Sequence, residues 1–507
     1  MNPLSRMLTL HPQDNVAVAL ADISAGETDN IAGVKALQAV KQGHKIAVKP
    51  IAAGQNVLRY GQTIGQATAD IAAGEHVHVQ NLGMGEHTSD YAHATEAKLL
   101  LALPDVRTFN GYHRADRSVG TRNYLGILTS VNCSGSVAKF IAEAAEKSGL
   151  LDDFPNIDGI VPITHGTGCG MSGENEGYDT LFRTLSGYAQ HPNFGGILLI
   201  GLGCEVMQVS ALVAGRPIRA DGALRYMTIQ QEGGTRMTIE KGLAELRSIA
   251  EIANTATRQP APVSELMVGM QCGGSDGYSG ITANPALGVA SDLVVRHGGT
   301  TILSETSEIY GAEHLLTRRA ATVEVGEKLI DRVRWWEDYT ARNKGKMDNN
   351  PSPGNKRGGL TTILEKSLGA VAKSGSAPLT AVYLFAEKID KKGFVFMDSP
   401  GFDPCSVTGQ IASGANLIVF TTGRGSVSGY TPTPCIKIAT NSEMYARMSD
   451  DMDINCGDIV SDGVSLEEKG SEIFEMFIRI ASGEQTKSED LGFGGVEFVP
   501  WQIGAVM

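Results

Sequence analysis

The chain has 507 residues, 42% hydrophobic and 20% charged, ordinary for a soluble globular protein and enough for about three domains. A net charge of −13 disfavours a polyanionic partner, so nucleic acid is not expected. No apolar run reaches membrane-spanning length and the first residues lack the apolar core of a secretory leader, so no membrane contact is expected, a cytoplasmic location is, and the seven cysteines read as reduced thiols.

Residues 1–90 alternate short apolar stretches, at 16–20, 45–48 and 76–79, with glycine turns at Gly43, Gly54, Gly61 and Gly74. That pattern predicts a small β domain. Residues 91–110 read as a linker. From 111 to 258 the order is strand, glycine-rich loop, helix, repeated. The apolar run at 126–131 leads into Asn132-Cys133-Ser134. Residues 157–163 lead into Thr164-His165-Gly166-Thr167-Gly168-Cys169. Residues 196–200 lead into Gly201-Leu202-Gly203-Cys204-Glu205. This predicts an open parallel α/β sheet, in which ligands gather beyond the carboxyl ends of the strands. The same order continues from 259 to 507, with apolar runs ending at Gln271-Cys272, Ser304-Glu305 and Thr421-Thr422-Gly423-Arg424. A second α/β sheet is predicted there. Its Asn350-Pro351-Ser352-Pro353-Gly354-Asn355-Lys356 segment predicts a loop, because proline obstructs a helix.

Four cysteines share their surroundings. Cys133, Cys169, Cys204 and Cys272 each follow an apolar run and sit beside glycine or small polar residues. Thiolates bind soft and borderline metals, including iron alone or in clusters. The plainer alternative is cysteine as a small buried hydrophobe. His76 and His78 are two apart and share one face of a strand, a pair able to bind a divalent metal or shuttle a proton, or simply solvated. His44, followed by Lys45, comes after a glycine turn, and His165 lies on a glycine-rich loop beside Cys169. These three are the acid/base candidates. Ser275, Asp276 and Asn284, then Asn355 and Lys356, then Thr422 and Arg424, are the anion-binding candidates. Glu305 and Glu308 follow a strand end and are either ligands or bases, or helix caps. There is no P-loop and no clean dinucleotide fingerprint. The residues alone describe a metal enzyme acting on a small anion.

Several strings carry a resemblance. Gly43-His44-Lys45, Tyr60-Gly61 and Gly74-Glu75-His76-Val77-His78 resemble the SAF-type N-terminal domain of the altronate/galactarate dehydratase family. Gly120-Thr121-Arg122-Asn123, His191-Pro192-Asn193 and Gly201-Leu202-Gly203-Cys204-Glu205 resemble its middle segment. Cys272-Gly273-Gly274-Ser275-Asp276, the 350–356 string and Thr422-Gly423-Arg424-Gly425 resemble its core segment. The resemblance implies a β-rich SAF-type domain followed by open parallel α/β sheet domains. It implies loss of water from an aldonate or aldarate to give a 2-keto-3-deoxy acid. It also implies iron(II), with manganese or an iron–sulfur cluster as alternatives. The 76–78 string resembles the altronate branch, and 268–276 and 412–414 the galactarate branch. Residues 426–430 depart from the string expected after the Gly-Arg-Gly element. D-Altronate is the first expectation and D-galactarate the second, with a homo-oligomer acting on a small molecule. In that reading His44 and His165, with Lys45, move protons. Cys133, Cys169, Cys204 and Cys272 hold metal, and Lys356 and Arg424 hold the substrate carboxylate. The rival is a sugar-acid binding protein that binds without turnover.

Overall fold

The computed structural model describes residues 6–29, 32–85, 90–214, 222–504 and 506. In the N-terminal part, beside a short antiparallel pair at Thr28–Asp29 and Val34–Lys35, there are seven short strands: Met7–Leu8 (β1), Val16–Ala19 (β2), Lys45–Ala47 (β3), Asn56–Arg59 (β4), Gln62–Ala67 (β5), His76–Val77 (β6) and Leu82–Gly83 (β7). They form two antiparallel sheets, β1-β2-β3-β6 and β4-β5-β7. Val57, Ile64 and Val77 belong to the same apolar cluster as Leu287 and Leu368 far along the chain. The β domain is therefore docked by its core, not tethered beside it.

The stretch expected to be a linker ends in a strand, Thr108–His113. It pairs antiparallel with Gln259–Pro262, so the chain enters and leaves the middle region side by side. Between them lie Tyr124–Thr129 (β8), Gly135–Lys147 (α1), Gly159–Ile163 (β9), Glu176–Ala189 (α2), Phe194–Gly201 (β10), Leu224–Thr228 (β11) and Thr235–Ala253 (α3). The sheet is parallel throughout, in the order β9-β8-β10-β11. Val137, Ile141, Leu246 and Ile249 of α1 and α3 cover one face, and Leu181 and Leu185 of α2 the other. Strand β10 is buried at every residue, which explains its unbroken apolar run.

The C-terminal part contains Met267–Cys272 (β12), Ala283–Arg296 (α4), Thr300–Leu303 (β13), Val323–Arg342 (α5), Pro353–Arg357 (α6), Ile363–Ala372 (α7), Leu379–Tyr383 (β14), Gly393–Met397 (β15), Asp403–Ser413 (α8), Leu417–Thr422 (β16), Cys435–Ala439 (β17), Ile454–Asn455 (β18) and Leu466–Ala481 (α9). Its seven strands are all parallel, in the order β14-β15-β13-β12-β16-β17-β18. Both α/β sheets start with an inner strand, β8 or β12, and build outward from it in both directions. Each therefore has a crevice at the carboxyl end of that first strand, the place where such sheets bind ligands.

The 350–356 segment corrects one expectation. Pro353 occupies the first turn of α6, where its missing N–H is no loss, and Ser352 caps it by accepting from the Asn355 backbone. Helix α7 is buried along nearly its whole length yet carries Glu365 and Lys366, with Lys373 just beyond it. Charges in such a helix require partners.

Candidate active site at the seven-stranded sheet

Beyond Cys272, among the segments that follow β12, β13 and β15, lies a cavity of ≈ 450 Å³ lined by Cys272, Gly274, Glu308, Asn355, Lys366 and Asp403 among others. Lys366 Nζ sits 2.6 Å from Glu308 Oε1, which also accepts from Asn350 Nδ2 at 2.8 Å. Lys373 Nζ donates to Cys272 Sγ at 2.9 Å. Burial and the neighbouring Glu308 lift the Asp403 carboxyl to about 6. Burial opposes the Lys366 ammonium, but Glu308, Cys272 and Glu305 outweigh it and push its pKa up to about 12. Glu305 is raised well above the carboxylate range by burial and by Glu308. Its backbone is left-handed, φ 69°, an uncommon conformation for a residue with a Cβ, and its Oε1 has no hydrogen-bond partner among the described residues. Perturbed groups gathered in one cleft mark a functional site.

The β domain brings a second cluster to the edge of this region. Pairing of β3 with β6 sets Ile46 opposite His76, so His44, His76 and His78 converge. His44 Nδ1 is 3.0 Å from His76 Nε2, and its Nε2 is 3.2 Å from the Arg357 carbonyl. The approach depends on glycine: a Cβ on Gly277 would stand 1.9 Å from the Gly43 carbonyl oxygen. Burial lowers the His76 pKa to about 4, and that of His78 further, leaving neutral rings at pH 7. Neutral imidazole is the ligating form. The two sites share α6, whose Asn355 lines the cavity while its Arg357 carbonyl meets His44.

Two side-chain groups among the described residues can place three ligand atoms within 4.8 Å of one another: His44, His76 and His78, and Cys272, Glu305 and Glu308. The first set fits a divalent cation. It offers three uncharged nitrogens, and His78 Nδ1 is buried with no hydrogen-bond partner among the described residues. The second fits less well, because burial holds the Cys272 thiol above its ordinary pKa and Lys366 already pairs with Glu308.

Several expected site residues are engaged elsewhere. Lys45 is fully buried, donating to Glu365 Oε2 at 2.9 Å and to the Gly359 carbonyl at 2.7 Å. It ties the β domain to α7 and has no free proton-transfer position. His165 donates Nε2–H to the Thr129 carbonyl and accepts the Thr167 N–H at Nδ1, so both ring nitrogens serve the backbone; it also stands on the other sheet from His44. The expected proton-transfer pair is thus not assembled. Asp276 accepts from Tyr278, Ser279, Thr440 and Asn441. Asn284 bridges the Gly369 carbonyl and Thr421 Oγ1, and the Ser275 carbonyl accepts from Asn355 Nδ2. Thr422 Oγ1 accepts from the Gly425 N–H. These residues build the loops around the cavity instead of presenting free groups to it. Lys356 and the exposed Arg424 have no ion-pair partner among the described residues, and the Arg424 N–H anchors on the Gly274 carbonyl. The four cysteines do not form one set: Cys272 ends a strand of the seven-stranded sheet, and the other three follow strands of the four-stranded one.

Lys366, Lys373 and Asp403 were missed in the sequence. The available signal was the seven-residue spacing of two lysines within an apolar helical pattern, which puts both on one face.

Residues 5–85 match the altronate/galactarate dehydratase SAF domain, 111–254 the second domain of D-galactarate dehydratase/altronate hydrolase, and 263–506 the D-galactarate/altronate dehydratase C-terminal domain. The chain is 35% identical over 496 residues to an altronate dehydratase of Bacillus subtilis, covering 97% of this chain and 98% of that one. It is 38% identical over 499 residues to the galactarate dehydratase (L-threo-forming) of Escherichia coli, covering 96% and 95%. It is 33% identical over 389 residues to the beta subunit of a (2R)-sulfolactate sulfo-lyase of Chromohalobacter salexigens, covering 76% and 95%.

Proposed function

The chain belongs to the altronate/galactarate dehydratase family of sugar-acid hydro-lyases, and from that premise we propose that it removes water from D-altronate to give 2-keto-3-deoxy-D-gluconate, with D-galactarate the second candidate substrate. The observation that carries this reading is the cavity beyond β12, where Asp403, its pKa raised, and Lys366, its pKa raised, converge beside Glu308.

Dehydration requires a base for the proton on C2, an acid for the departing C3 hydroxyl, and positive charge facing the carboxylate as negative charge builds on it. Asp403, near 6, is largely ionised at neutral pH yet more basic than a solvated carboxylate, and takes the C2 proton. The same carboxyl, now protonated, gives that proton to the C3 hydroxyl, which leaves as water. The enol then becomes the ketone by taking a solvent proton at C3 and giving up its C2 hydroxyl proton to solvent. Lys366 stays an ammonium throughout and stabilises the enediolate, with Glu308 holding it in place. Lys356, in α6 beside the cavity-lining Asn355, and Arg424, anchored on the cavity-lining Gly274, hold the substrate carboxylate. His44, His76 and His78 would hold iron(II), which when bound supplies Lewis-acid stabilisation of carboxylate and hydroxyl oxygen.

The test is 2-keto-acid formation, assayed anaerobically with iron(II), from a panel of D-altronate, D-galactarate and sulfolactate. The expected result is keto acid from D-altronate. Saturable binding of sugar acids with no product from any of them would make the chain a binding protein and overturn the proposal.

A further inference from the structure

Helix α8 is buried from Cys405 to Ser413, yet one face of it carries Asp403, Ser406 and Gln410, spaced at helical intervals. Polar side chains in such a place need partners, and here they share one buried network. We propose that Gln271, the residue before Cys272 at the end of β12, is a positioning residue that orients the Asp403 carboxylate toward the substrate. The proposal rests on the reading of Asp403 as the group that takes the C2 proton.

Gln271 is fully buried and is not among the residues that line the cavity. Its Nε2 donates to Asp403 Oδ1 at 3.1 Å, and its Oε1 accepts from Ser406 Oγ at 3.1 Å. The direction of the amide follows from its partners. An ionised carboxylate only accepts, so the NH₂ end must face Asp403 and the carbonyl end Ser406. Ser406 therefore spends its one proton on Gln271 and is left to accept. Ser304 Oγ and Ser399 Oγ stand 2.8 and 3.0 Å from it, and Ser304 Oγ in turn accepts from Gln410 Nε2 at 2.7 Å.

This arrangement ties down one Asp403 oxygen and leaves the other for substrate. Oδ1 is held from behind by Gln271. Oδ2 lies over Gly273, where a Cβ would stand 2.5 Å from it, and Gly273 lines the cavity. No hydrogen bond reaches Oδ2 from the described residues. The absent Cβ of Gly273 and the amide of Gln271 together choose which oxygen meets the substrate. The network also reaches the opposite wall. Ser399 Oγ accepts from the Glu305 N–H at 3.0 Å, and the Ser399 carbonyl accepts from the Thr306 N–H at 3.0 Å. That turn leads to Glu308, which holds Lys366. The oxygen that takes the proton and the ammonium that faces the resulting charge are set by one frame, with Gln271 inside it.

The charged and titratable groups around Asp403 are Glu305 and Glu308 after β13, Lys366 in α7, Lys373 just beyond it, and Tyr430 ahead of β17. Burial and Glu308 raise the Asp403 carboxyl; the Gln271 hydrogen bond, with Lys366 and Lys373, works against them. Gln271 does so without adding a charge. An arginine in its place would favour the ionised form far more strongly and leave a weaker base.

The test is the pH dependence of kcat/KM, with iron(II) and whichever sugar acid gives keto acid, in the parent protein, Gln271→Met and Ser406→Ala. Met keeps the length of the side chain and removes both hydrogen bonds. In Gln271→Met the acid limb near pH 6 should move up by about one pH unit or more, and plateau kcat should fall about tenfold or more with little change in KM. Ser406→Ala removes only the anchor of the amide, so its limb should move the same way by less. Infrared difference spectra give a second readout without turnover: the carboxyl band that disappears in Asp403→Asn should titrate at correspondingly higher pH in both variants. A limb and band that stay in place overturn the proposal and leave Asp403 as the base. So does a rise in KM with an unmoved limb, the signature of a merely loosened fold. If Gln271→Met does not fold, Ser406→Ala decides by limb and band. Parent-like turnover by Asp403→Asn would be a different failure, that of the base itself, and would take this proposal with it.

Discussion

Glu365→Gln tests how the β domain is held against the catalytic sheet. The carboxylate is buried and accepts from Lys45 at 2.9 Å, Arg59 at 2.5 Å, the Thr361 N–H at 2.9 Å and Thr361 Oγ1 at 2.7 Å. Burial would raise its pKa, but Lys45 and Arg59 hold it down to about 2. Gln keeps the shape and removes the charge, leaving two buried cations without their anion. Breaking a buried pair in this way costs about 3–5 kcal/mol. At about 1.4 kcal/mol per decade, that is roughly two to four decades of equilibrium constant. The loss falls on the undocking of β3 and β4, which carry Lys45 and Arg59. Native-state hydrogen exchange should therefore show amides of β3 and β4 losing two or more decades of protection, while those of β10 keep theirs. The sign with pH follows from the depressed carboxyl: its contribution is whole above its ordinary 4.5 and disappears as pH falls through about 2. The difference between parent and variant should shrink over that window. A loss under tenfold at neutral pH would mean the triad behaves like a solvated pair, and would refute the clamp.

Other consequences are more local. Asp403→Asn should lower kcat by about 10²–10⁴-fold, the usual range for one acid–base group, with little change in substrate affinity. In the parent protein, kcat/KM should rise with pH through about 6 as Asp403 ionises, and that limb should vanish from the residual activity of the variant. Arg424→Ala and Lys356→Ala should each weaken sugar-acid binding about tenfold or more by calorimetry and leave the thermal transition unchanged; an unaltered affinity in both would remove them from the site. His76→Ala should abolish one equivalent of tightly bound divalent metal, measured by elemental analysis after dialysis, whereas retention would move the ion to another donor set.

What could be read from the chain alone follows the range of the interactions involved. Strand-to-loop order, the strand-end cysteines and the shared face of His76 and His78 are local patterns, and each is in the structure. The Lys45–Glu365 pair spans 320 residues, so no local pattern reveals that this lysine is a clamp and not a proton carrier. His165 was misjudged for a related reason: a glycine-rich loop marks a functional neighbourhood, but only coordinates show both ring nitrogens held by backbone. Treating the four cysteines as one set failed because similar flanks recur wherever a parallel strand ends, and this chain has two such sheets. Asp403 was missed because the first residue of a helix reads as a favourable N-terminal charge, which conceals a carboxyl facing a cavity.

The central claim is elimination of water from a sugar acid at the cavity beyond β12. Its most direct test is turnover of D-altronate in D₂O by the iron(II)-loaded protein, read by mass spectrometry and NMR. The account predicts 2-keto-3-deoxy-D-gluconate carrying one deuterium at C3, formed by the parent protein and about a hundredfold or more slower by Asp403→Asn. Unchanged altronate, or equal product from the Asp403 variant, would contradict it.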